Sequence, residues 1–365
     1  MSADNDARHM RHALALAARG LGRVWPNPAV GCVIVAGGRI VGRGWTQPGG
    51  RPHAEPGALA QAGAAARGAT AYVSLEPCAH HGKTPPCAAA LAAAGVARVV
   101  TALEDPDPRV AGGGHAMLRA AGVEVATGVM TAEAARLNRG FLSRITRGRP
   151  MVTLKLATSF DGRIATGAGE SRWITGAEAR ARVHLMRATH DAVLVGGGTA
   201  RADDPELTVR GLGIAHRPVR VIAAATLDLP RGGRLAASAG QAPLWLVHGP
   251  DAPAAARAYW QGLGARLVEV AAPGGRIDPG AMLAQLGAAG LTRVFCEGGG
   301  QLAAALLDSG LVDELVGFTA GLMLGADGRP AIGALAPRAL AAMPRFRLIE
   351  TLPVGGDVLH RWELA

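Results

Sequence analysis

The 365-residue sequence has few aromatic residues, hardly any lysine and no long apolar run. Aromatic side chains make up 4% of the residues, so the cores must be built mainly from alanine, valine and leucine. No apolar stretch approaches the roughly 18 residues that a membrane-spanning helix needs. The N-terminal segment MSADNDARHMRHALALAARG has no apolar signal-peptide region, and it predicts an amphipathic helix that begins near Asp4 or Asn5. We therefore expect a cytoplasmic protein with no membrane partner.

The formal net charge of +10 comes almost entirely from arginine, because Lys83 and Lys155 are the only lysines. The arginines stand singly between alanines and form no basic run with interleaved aromatics, so no nucleic-acid partner is expected. Scattered positive charge instead favours attraction of anionic small molecules. A nucleic-acid-editing protein, with the basic charge as its footprint, is the alternative from a different functional class.

The four cysteines fall into two groups. Cys32 and Cys296 lie in apolar, strand-like segments and are expected to be small buried core residues. Cys78 and Cys87 lie in the polar, proline-rich segment LEPCAHHGKTPPC, where a core role fits badly. A disulfide between them fits the spacing, but a reducing cytosol disfavours it.

Strand-like and helical segments alternate along the chain, which predicts two α/β domains. In the first part, AVGCVIVAGG and ATAYVSLEP are typical of strands in a largely parallel sheet, and helices are expected from His53 to Ala66 and from about Cys87. The basic segment Arg144–Val152 contains Gly and Pro and precedes a fresh strand, so we predict the domain boundary there. The expected domains are residues 1–147 and 150–365, since a single core seldom grows to this length.

One histidine, one glutamate and two cysteines form a pattern typical of zinc-dependent deaminases. His53 and Glu55 open a predicted helix, and Cys78 and Cys87 follow with eight residues between them. One imidazole and two thiolates can bind zinc and leave a fourth position open to water, as in catalytic sites. Zinc lowers the pKa of its water toward about 7, and Glu55 could pass that proton to the leaving group.

Taken singly, these residues have plainer explanations. A histidine near a glutamate is often a helix-start capping arrangement, and a cysteine pair is often incidental. Their conjunction is more specific, because H-x-E with P-C-x-x-C is the signature of zinc nucleobase deaminases. The second cysteine departs from that signature, since it follows the first after eight residues and not two.

Several segments resemble the bifunctional riboflavin-biosynthesis deaminase/reductase family. PNPAVGCVIV, PHAEPGAL, TAYVSLEPCAHHGKTPPC and EDPDPRVAGGG resemble its deaminase domain. LKLATSFDGRIATGAGESRWIT, RATHDAVLVGGGTARADDPELTVR and CEGGGQLAAALLDSGLVDEL resemble its reductase domain. The resemblance covers essentially the whole chain. It implies an α/β protein in which an N-terminal, cytidine-deaminase-like three-layer domain precedes a dihydrofolate-reductase-like α/β domain.

The resemblance implies two consecutive reactions. A pyrimidine ribosylamino 5′-phosphate loses its 2-amino group as ammonia at a zinc site, and NADPH then reduces the ribosyl group to a ribityl chain. One Zn²⁺ per chain, NADPH and small phosphorylated pyrimidines are the expected cofactors and partners. The sequence does not determine the oligomeric state, and a homodimer would be consistent with it. The alternative is a zinc deaminase fused to a reductase-like domain that lacks reductase activity.

In the deaminase half, the resemblance implies that His53, Cys78 and Cys87 bind zinc and that Glu55 is the proton shuttle. It implies four substrate positions, Asn27, His80, Lys83 and Asp105. Lys83 is also notable without the resemblance, because an ammonium in this arginine-rich chain can act as a point charge for a phosphate. Two departures stand out: Ala79 replaces the usual Ser, and Asp107 replaces the usual Asn. An ionised Asp only accepts hydrogen bonds, whereas Asn also donates them.

In the reductase half, the resemblance implies one set of cofactor positions and one set of substrate positions. The cofactor positions are Ala157, Trp173, Thr199, Asp203, Gly299, Gly300, Gln301 and Leu302. The substrate positions are Ser171, Arg187, Leu207, Arg210 and Glu297. The two guanidinium groups suit a substrate phosphate. The turn from Gly298 to Ala303 fits G-x-G-x-x-A, but it comes late in the domain, which argues against a Rossmann fold.

Two of these positions have structural alternatives, and one family feature is missing. Trp173 could be a core residue, and Asp203 could belong only to a helix end or turn. Ala224-Ala225 stands where the family often has Asp-Ser, which would remove a cofactor contact.

Overall fold

The chain folds into two compact units, Met1–Gly148 and Arg149–Ala365. The computed structural model describes residues 3–80 and 85–365. Within those residues, every helix is too short or too polar to span a lipid bilayer. The division between the units falls one residue after a helix, so the predicted boundary segment Arg144–Val152 is helical at its start and extended at its end.

The first unit combines a five-stranded sheet with helices. Its strands are β1 Gly31–Ala36, β2 Arg39–Trp45, β3 Thr70–Val73, β4 Arg98–Thr101 and β5 Glu124–Ala126. Its helices are α1 Ala3–Ala17, α2 Ala54–Ala62, α3 Cys87–Ala93, α4 Gly113–Ala120, α5 Thr131–Leu137 and α6 Arg139–Arg147.

The first sheet is mixed, not largely parallel as expected. Its order is β2-β1-β3-β4-β5, and β1 runs antiparallel to both β2 and β3, while β3, β4 and β5 are parallel. The turn between β1 and β2 consists of Gly37 and Gly38, with φ of 55° and 78°. Two such residues form a tight hairpin, which makes the joined strands antiparallel.

The sheet of the first unit lies between two helical layers. Cys32 and Ile34 pack with α2, α3 and α4, whereas Val33 and Val35 pack with α1. This alternation follows from the two-residue period of a strand. Alanine, valine and leucine make up most of both cores, as the low aromatic content predicts.

The second unit has a nine-stranded sheet and a short two-stranded ribbon. Its strands are β6 Met151–Ser159, β7 Arg163–Ala165, β8 Ala192–Gly196, β9 Val219–Ala223, β10 Leu244–His248, β11 Arg266–Glu269, β12 Arg293–Gly298, β13 Glu314–Ala320, β14 Arg329–Pro330, β15 Phe346–Val354 and β16 Asp357–Leu364. Its helices are α7 Ala177–Ala188, α8 Gly197–Asp203, α9 Arg234–Ala237, α10 Ala254–Gly262, α11 Pro279–Ala288 and α12 Gly300–Asp308.

The large sheet is parallel through seven strands and ends in an antiparallel hairpin. The order is β11-β10-β9-β8-β12-β6-β13-β16-β15, and β16 and β15 run antiparallel to their neighbours. The central strands β8, β12 and β6 are therefore adjacent and share their carboxyl edge. Crevices at such an edge are the usual ligand sites of open α/β sheets.

Candidate active sites

Three metal-ligating side chains meet in the first unit. The Nδ1 of His53 lies 3.7 Å from the Sγ of Cys78 and 3.4 Å from the Sγ of Cys87. A tetrahedral zinc ion with bonds of about 2.3 Å to sulfur and about 2.0 Å to nitrogen would separate N and S by about 3.5 Å. The two N–S distances lie on either side of that value, and all three donor atoms lie within 4.8 Å of one another, so this donor set fits a zinc ion.

The ends of separate elements position these ligands. His53 is the residue before α2, Cys87 is the first residue of α3, and Cys78 follows β3. The backbone N–H of Cys87 donates to the Sγ of Cys78 over 3.3 Å, which ties the two cysteines together. Gly44 of β2 lets α2 lie close to the sheet, since a Cβ there would be 2.0 Å from the carbonyl oxygen of Ala54.

The polar groups of this site influence one another's ionisation. Glu55, in the first turn of α2, is 3% exposed and hydrogen-bonds the Cys87 thiol. Burial raises the pKa of Glu55. Hydrogen bonds from the Cys87 thiol and from His53 lower the pKa of Cys78 to about 4. The Cys78 thiol therefore ionises readily, beside a buried carboxyl group whose pKa is raised.

A second acidic residue, Glu76, organises the loop beside the candidate zinc ligands. Its buried carboxylate accepts hydrogen bonds from the backbone N–H groups of Asp105, Gly112, Gly114 and His115, over 2.9–3.2 Å. Glu76 also lies near Glu104 and His115 in a geometry that could hold a cation. Four N–H donors already occupy its oxygens, so we assign Glu76 to loop structure and not to a metal.

Three of the four deaminase substrate candidates are among the described residues, and each lies near a candidate zinc ligand in the chain or is hydrogen-bonded to a residue that does. Asn27 donates from Nδ2 to the carbonyl of Gly50, three residues before His53. The Nδ1 of His80 is buried and has no hydrogen-bond partner among the described residues. Burial and the neighbouring carboxylates raise the pKa of Asp105 to about 6. Lys83 lies outside the described residues, so its role as a substrate-binding residue stays a prediction from the sequence.

A cleft of about 640 Å³ lies at the carboxyl edge of the large sheet in the second unit. It brings together eleven of the thirteen residues predicted for the reductase half. These are Ala157, Ser171, Trp173, Arg187, Thr199, Asp203, Leu207, Arg210, Glu297, Gly299 and Gly300. Gln301 and Leu302 are not among the lining residues, and Leu302 instead packs within 3.7 Å of the Cβ position of Gly196.

A buried ion pair forms part of the cleft wall. The guanidinium of Arg187 binds the Glu297 carboxylate through two N–H groups, and the Nη2–Oε2 distance is 2.9 Å. Both side chains are about 10% exposed, at 11% and 10%. Burial alone would raise the pKa of Glu297, but the Arg187 charge outweighs it and the pKa is lowered. Glu297 therefore stays ionised and presents a fixed negative charge in the cleft.

Lys155 is a cleft residue that the sequence reasoning missed. It lies in β6, lines the cleft and interacts electrostatically with Glu297 and Asp203. Burial lowers its pKa. Its rarity in an arginine-rich chain is a signal that the sequence contains, as it is for Lys83.

The cleft also decides between the alternatives for Trp173 and Asp203. Trp173 is 67% exposed, so the interpretation as a core residue is wrong. The guanidinium of Arg180 lies 4.3 Å from the centre of its ring. Asp203 is the last residue of α8 and also lines the cleft, so its position at a helix end is compatible with a role in the cleft.

The departure at Ala224-Ala225 and the glycine turn at Gly299 each have a clear local setting. Ala224 is buried, and a Cβ at Gly197 would lie 2.9 Å from its side chain. Because alanine has no polar side-chain atom, Ala224-Ala225 cannot make the side-chain hydrogen bond that Asp-Ser could make beside Gly197. Gly299 has φ of 63°, and a Cβ there would approach the Thr199 hydroxyl to 2.8 Å, so glycine is required at this turn.

Comparison with protein families supports both halves. Residues 150–360 match the model described as RibD C-terminal domain. Residues 3–103 match the model described as the cytidine and deoxycytidylate deaminase zinc-binding region. The first match alone covers more than half of the chain.

Curated and solved relatives match the chain nearly end to end. Riboflavin biosynthesis protein RibD of Escherichia coli (strain K12) is 42% identical over 97% of this chain and 98% of its own length. The structure of Acinetobacter baumannii RibD has a TM-score of 0.89 at 39% identity, with 100% of both chains covered. The Thermotoga maritima diaminohydroxyphosphoribosylaminopyrimidine deaminase/5-amino-6-(5-phosphoribosylamino)uracil reductase has a TM-score of 0.88 at 32% identity, also with 100% of both chains covered.

These likenesses confirm the predicted fold, a cytidine-deaminase-like domain followed by a reductase domain. They also confirm the resemblance that the sequence motifs indicated. The chain belongs to the RibD family of riboflavin biosynthesis proteins, bifunctional enzymes with a deaminase and a reductase domain.

Proposed function

We propose that the chain catalyses two consecutive steps of riboflavin biosynthesis. Residues 1–147 would deaminate 2,5-diamino-6-ribosylamino-4(3H)-pyrimidinone 5′-phosphate with zinc. Residues 150–365 would then reduce the ribosyl group of 5-amino-6-(5-phosphoribosylamino)uracil with NADPH. The observation that carries the first step is the close approach of the donor atoms of His53, Cys78 and Cys87, with Glu55 two residues after His53.

His53, Cys78 and Cys87 would hold one zinc ion, which lowers the pKa of water and so supplies a nucleophile near neutral pH. Glu55 accepts a proton at its carboxylate and donates it to the departing amino group. A raised pKa suits this double role, because the group must both bind and release the proton near the working pH. Asp105, on the loop that Glu76 organises, and His80, two residues after Cys78, would orient the pyrimidine.

In the second unit, bound NADPH would supply the hydride. Arg187 and Glu297 form a fixed, oppositely charged pair at the cleft wall, which would orient the ribosyl hydroxyls and the phosphate. Lys155, which interacts electrostatically with Glu297 and Asp203, would hold the sugar oxygen and supply the proton that accompanies the hydride. Trp173, exposed in the cleft and backed by Arg180, offers a flat surface for the cofactor.

The charged cleft argues against a reductase-like domain without activity. A domain that had lost the reaction would have no need to keep a half-buried lysine and a buried ion pair facing an open cleft, because burying charge is costly. We propose small phosphorylated pyrimidines as the only substrates, without nucleic acid, and a cytoplasmic location. A homodimer stays a prediction.

The test is a paired assay on the zinc-loaded protein. Ammonia release is measured with the diamino substrate, and the fall in NADPH absorbance is measured with the deaminated substrate. The proposal expects both activities in one preparation. Ammonia release without NADPH oxidation would support the deaminase with an inactive second domain.

A further inference from the structure

Asp107, which stands where the family usually has asparagine, is paired with a nearby arginine. The Oδ1 of Asp107 accepts hydrogen bonds from the backbone N–H of Arg109 over 3.0 Å and from its Nε over 2.9 Å. The Oδ2 of Asp107 accepts from Nη2 of the same guanidinium. The carboxylate side chain is 9% exposed, whereas the arginine side chain is 72% exposed. The arginine thus neutralises a mostly buried charge and still faces solvent.

This pair lies on the loop that borders the zinc ligands. The backbone N–H of Asp107 donates to the Oδ1 of Asp105 over 2.9 Å, and Glu76 anchors Asp105 from the segment that carries Cys78. His80 acts electrostatically on Asp107, and Arg109 on Asp105. The pair therefore belongs to the same loop cluster as two of the proposed substrate contacts.

The guanidinium has donors left over for a second anion. Arginine carries five N–H donors, and the contact with Asp107 uses Nε and one N–H of Nη2. Among the described residues, the two N–H groups of Nη1 and the other N–H of Nη2 have no partner. Two adjacent N–H groups on the outer edge match the oxygens of a phosphate.

We infer that Arg109 is a specificity-determining residue of the deaminase site, where it neutralises Asp107 and binds the 5′-phosphate of the substrate. This inference rests on the proposed function and adds a phosphate contact to it. An unpaired Asp107 would repel a phosphate dianion, so the arginine has two effects that act in the same direction. With asparagine at this position, the first effect would not be needed.

The test compares Arg109→Met, Asp107→Asn and the double variant in steady-state ammonia release. Each is assayed with the phosphorylated substrate and with its dephosphorylated form. Arg119→Met, an exposed arginine on α4, is the matched control for loss of one positive charge. Zinc content and NADPH oxidation on the deaminated substrate report whether each variant is folded.

We expect Arg109→Met to raise KM for the phosphorylated substrate about 10- to 100-fold, which is the effect of losing one charge-assisted hydrogen bond. The kcat should stay within about twofold of the parent value. The dephosphorylated substrate should change by less than about threefold, as should Arg119→Met on both substrates. In the Asp107→Asn background, Arg109→Met should raise this KM by a smaller factor, because no carboxylate is left unpaired.

Two results would overturn the inference while leaving the proposed function intact. One is equal KM for Arg109→Met and Arg119→Met. The other is an equal loss on both substrates, which would assign the pair to loop structure alone. If the parent protein released no ammonia from either substrate, the proposed function would fail first, and the inference with it.

Discussion

Replacing Glu55 by glutamine separates the two proposed reactions. Glu55 is 3% exposed, and glutamine fills nearly the same volume, so packing in the first turn of α2 should be kept. Burial raises the pKa of Glu55, which means that the folded state disfavours its ionised form. A neutral amide removes that cost, so Tm should not fall. Zinc content should also stay at one ion per chain, because Glu55 is not a proposed ligand.

The expected loss is confined to deamination. Glutamine cannot accept a proton from water or pass one to the leaving group, so kcat for ammonia release should fall about 10²- to 10⁴-fold. This equals a rise of about 3–5 kcal/mol in the activation free energy. With deaminated substrate, the same protein should oxidise NADPH at close to the parent rate, since every proposed reductase residue lies after Met151.

The assay measures ammonia and NADPH absorbance on both substrates, with Glu133→Gln, an exposed carboxylate of α5, as the matched control. Loss of NADPH oxidation in a folded, zinc-loaded Glu55→Gln protein would refute the reasoning. The two halves would then share one site, or each would depend on the other for closure. Deamination at more than about one tenth of the parent rate would remove Glu55 as the proton shuttle.

Four further predictions follow from the same two sites. Cys78→Ser should abolish zinc retention and deamination, and metal analysis that finds a full complement of zinc would contradict the assignment. Lys83→Met should weaken substrate binding by about 1.5–3 kcal/mol and leave zinc in place; unchanged deamination kinetics would take Lys83 out of the site. Lys155→Met should lower kcat/KM for NADPH oxidation about 10- to 100-fold, with partial recovery in Lys155→Arg, and equal rates in all three proteins would exclude a role in the cleft. The pKa of Asp105 is raised to about 6 in the folded protein, so the unfolded chain loses this proton at lower pH. The free energy of unfolding should therefore fall as the pH rises from about 4 to 6. Relative to the parent, Asp105→Asn should therefore gain more in Tm at pH 7 than at pH 4.5, and a Tm difference that does not change with pH would contradict this.

Residue type and spacing alone predicted the chemistry of the first unit. A histidine with a nearby glutamate and a cysteine pair in a polar segment can be recognised in a sequence because zinc restricts its ligands to a few side chains. The same local logic predicted that Cys32 and Cys296 would be buried, and both are 0% exposed. The matching of motifs to a known family then indicated the second unit and the order of the domains, which the comparisons confirm.

Other features depended on contacts between distant parts of the chain. The direction of β1 against β3 follows from how the strands pack, and the alternation of helices and strands did not predict it. Glu76 receives N–H groups from residues 29 to 39 positions away, so its structural role has no local signature.

Tertiary structure also decided which charges face each other. In the sequence, Lys155 is a single polar residue within a predicted apolar strand. The pairing of β6 with β12 in the folded sheet brings it near Glu297. Asp107 is a departure from the family whose partner, Arg109, becomes evident once the loop is folded. A sequence specifies which groups can ionise, but their pairing and burial depend on distances of a few ångströms that the packed chain alone sets.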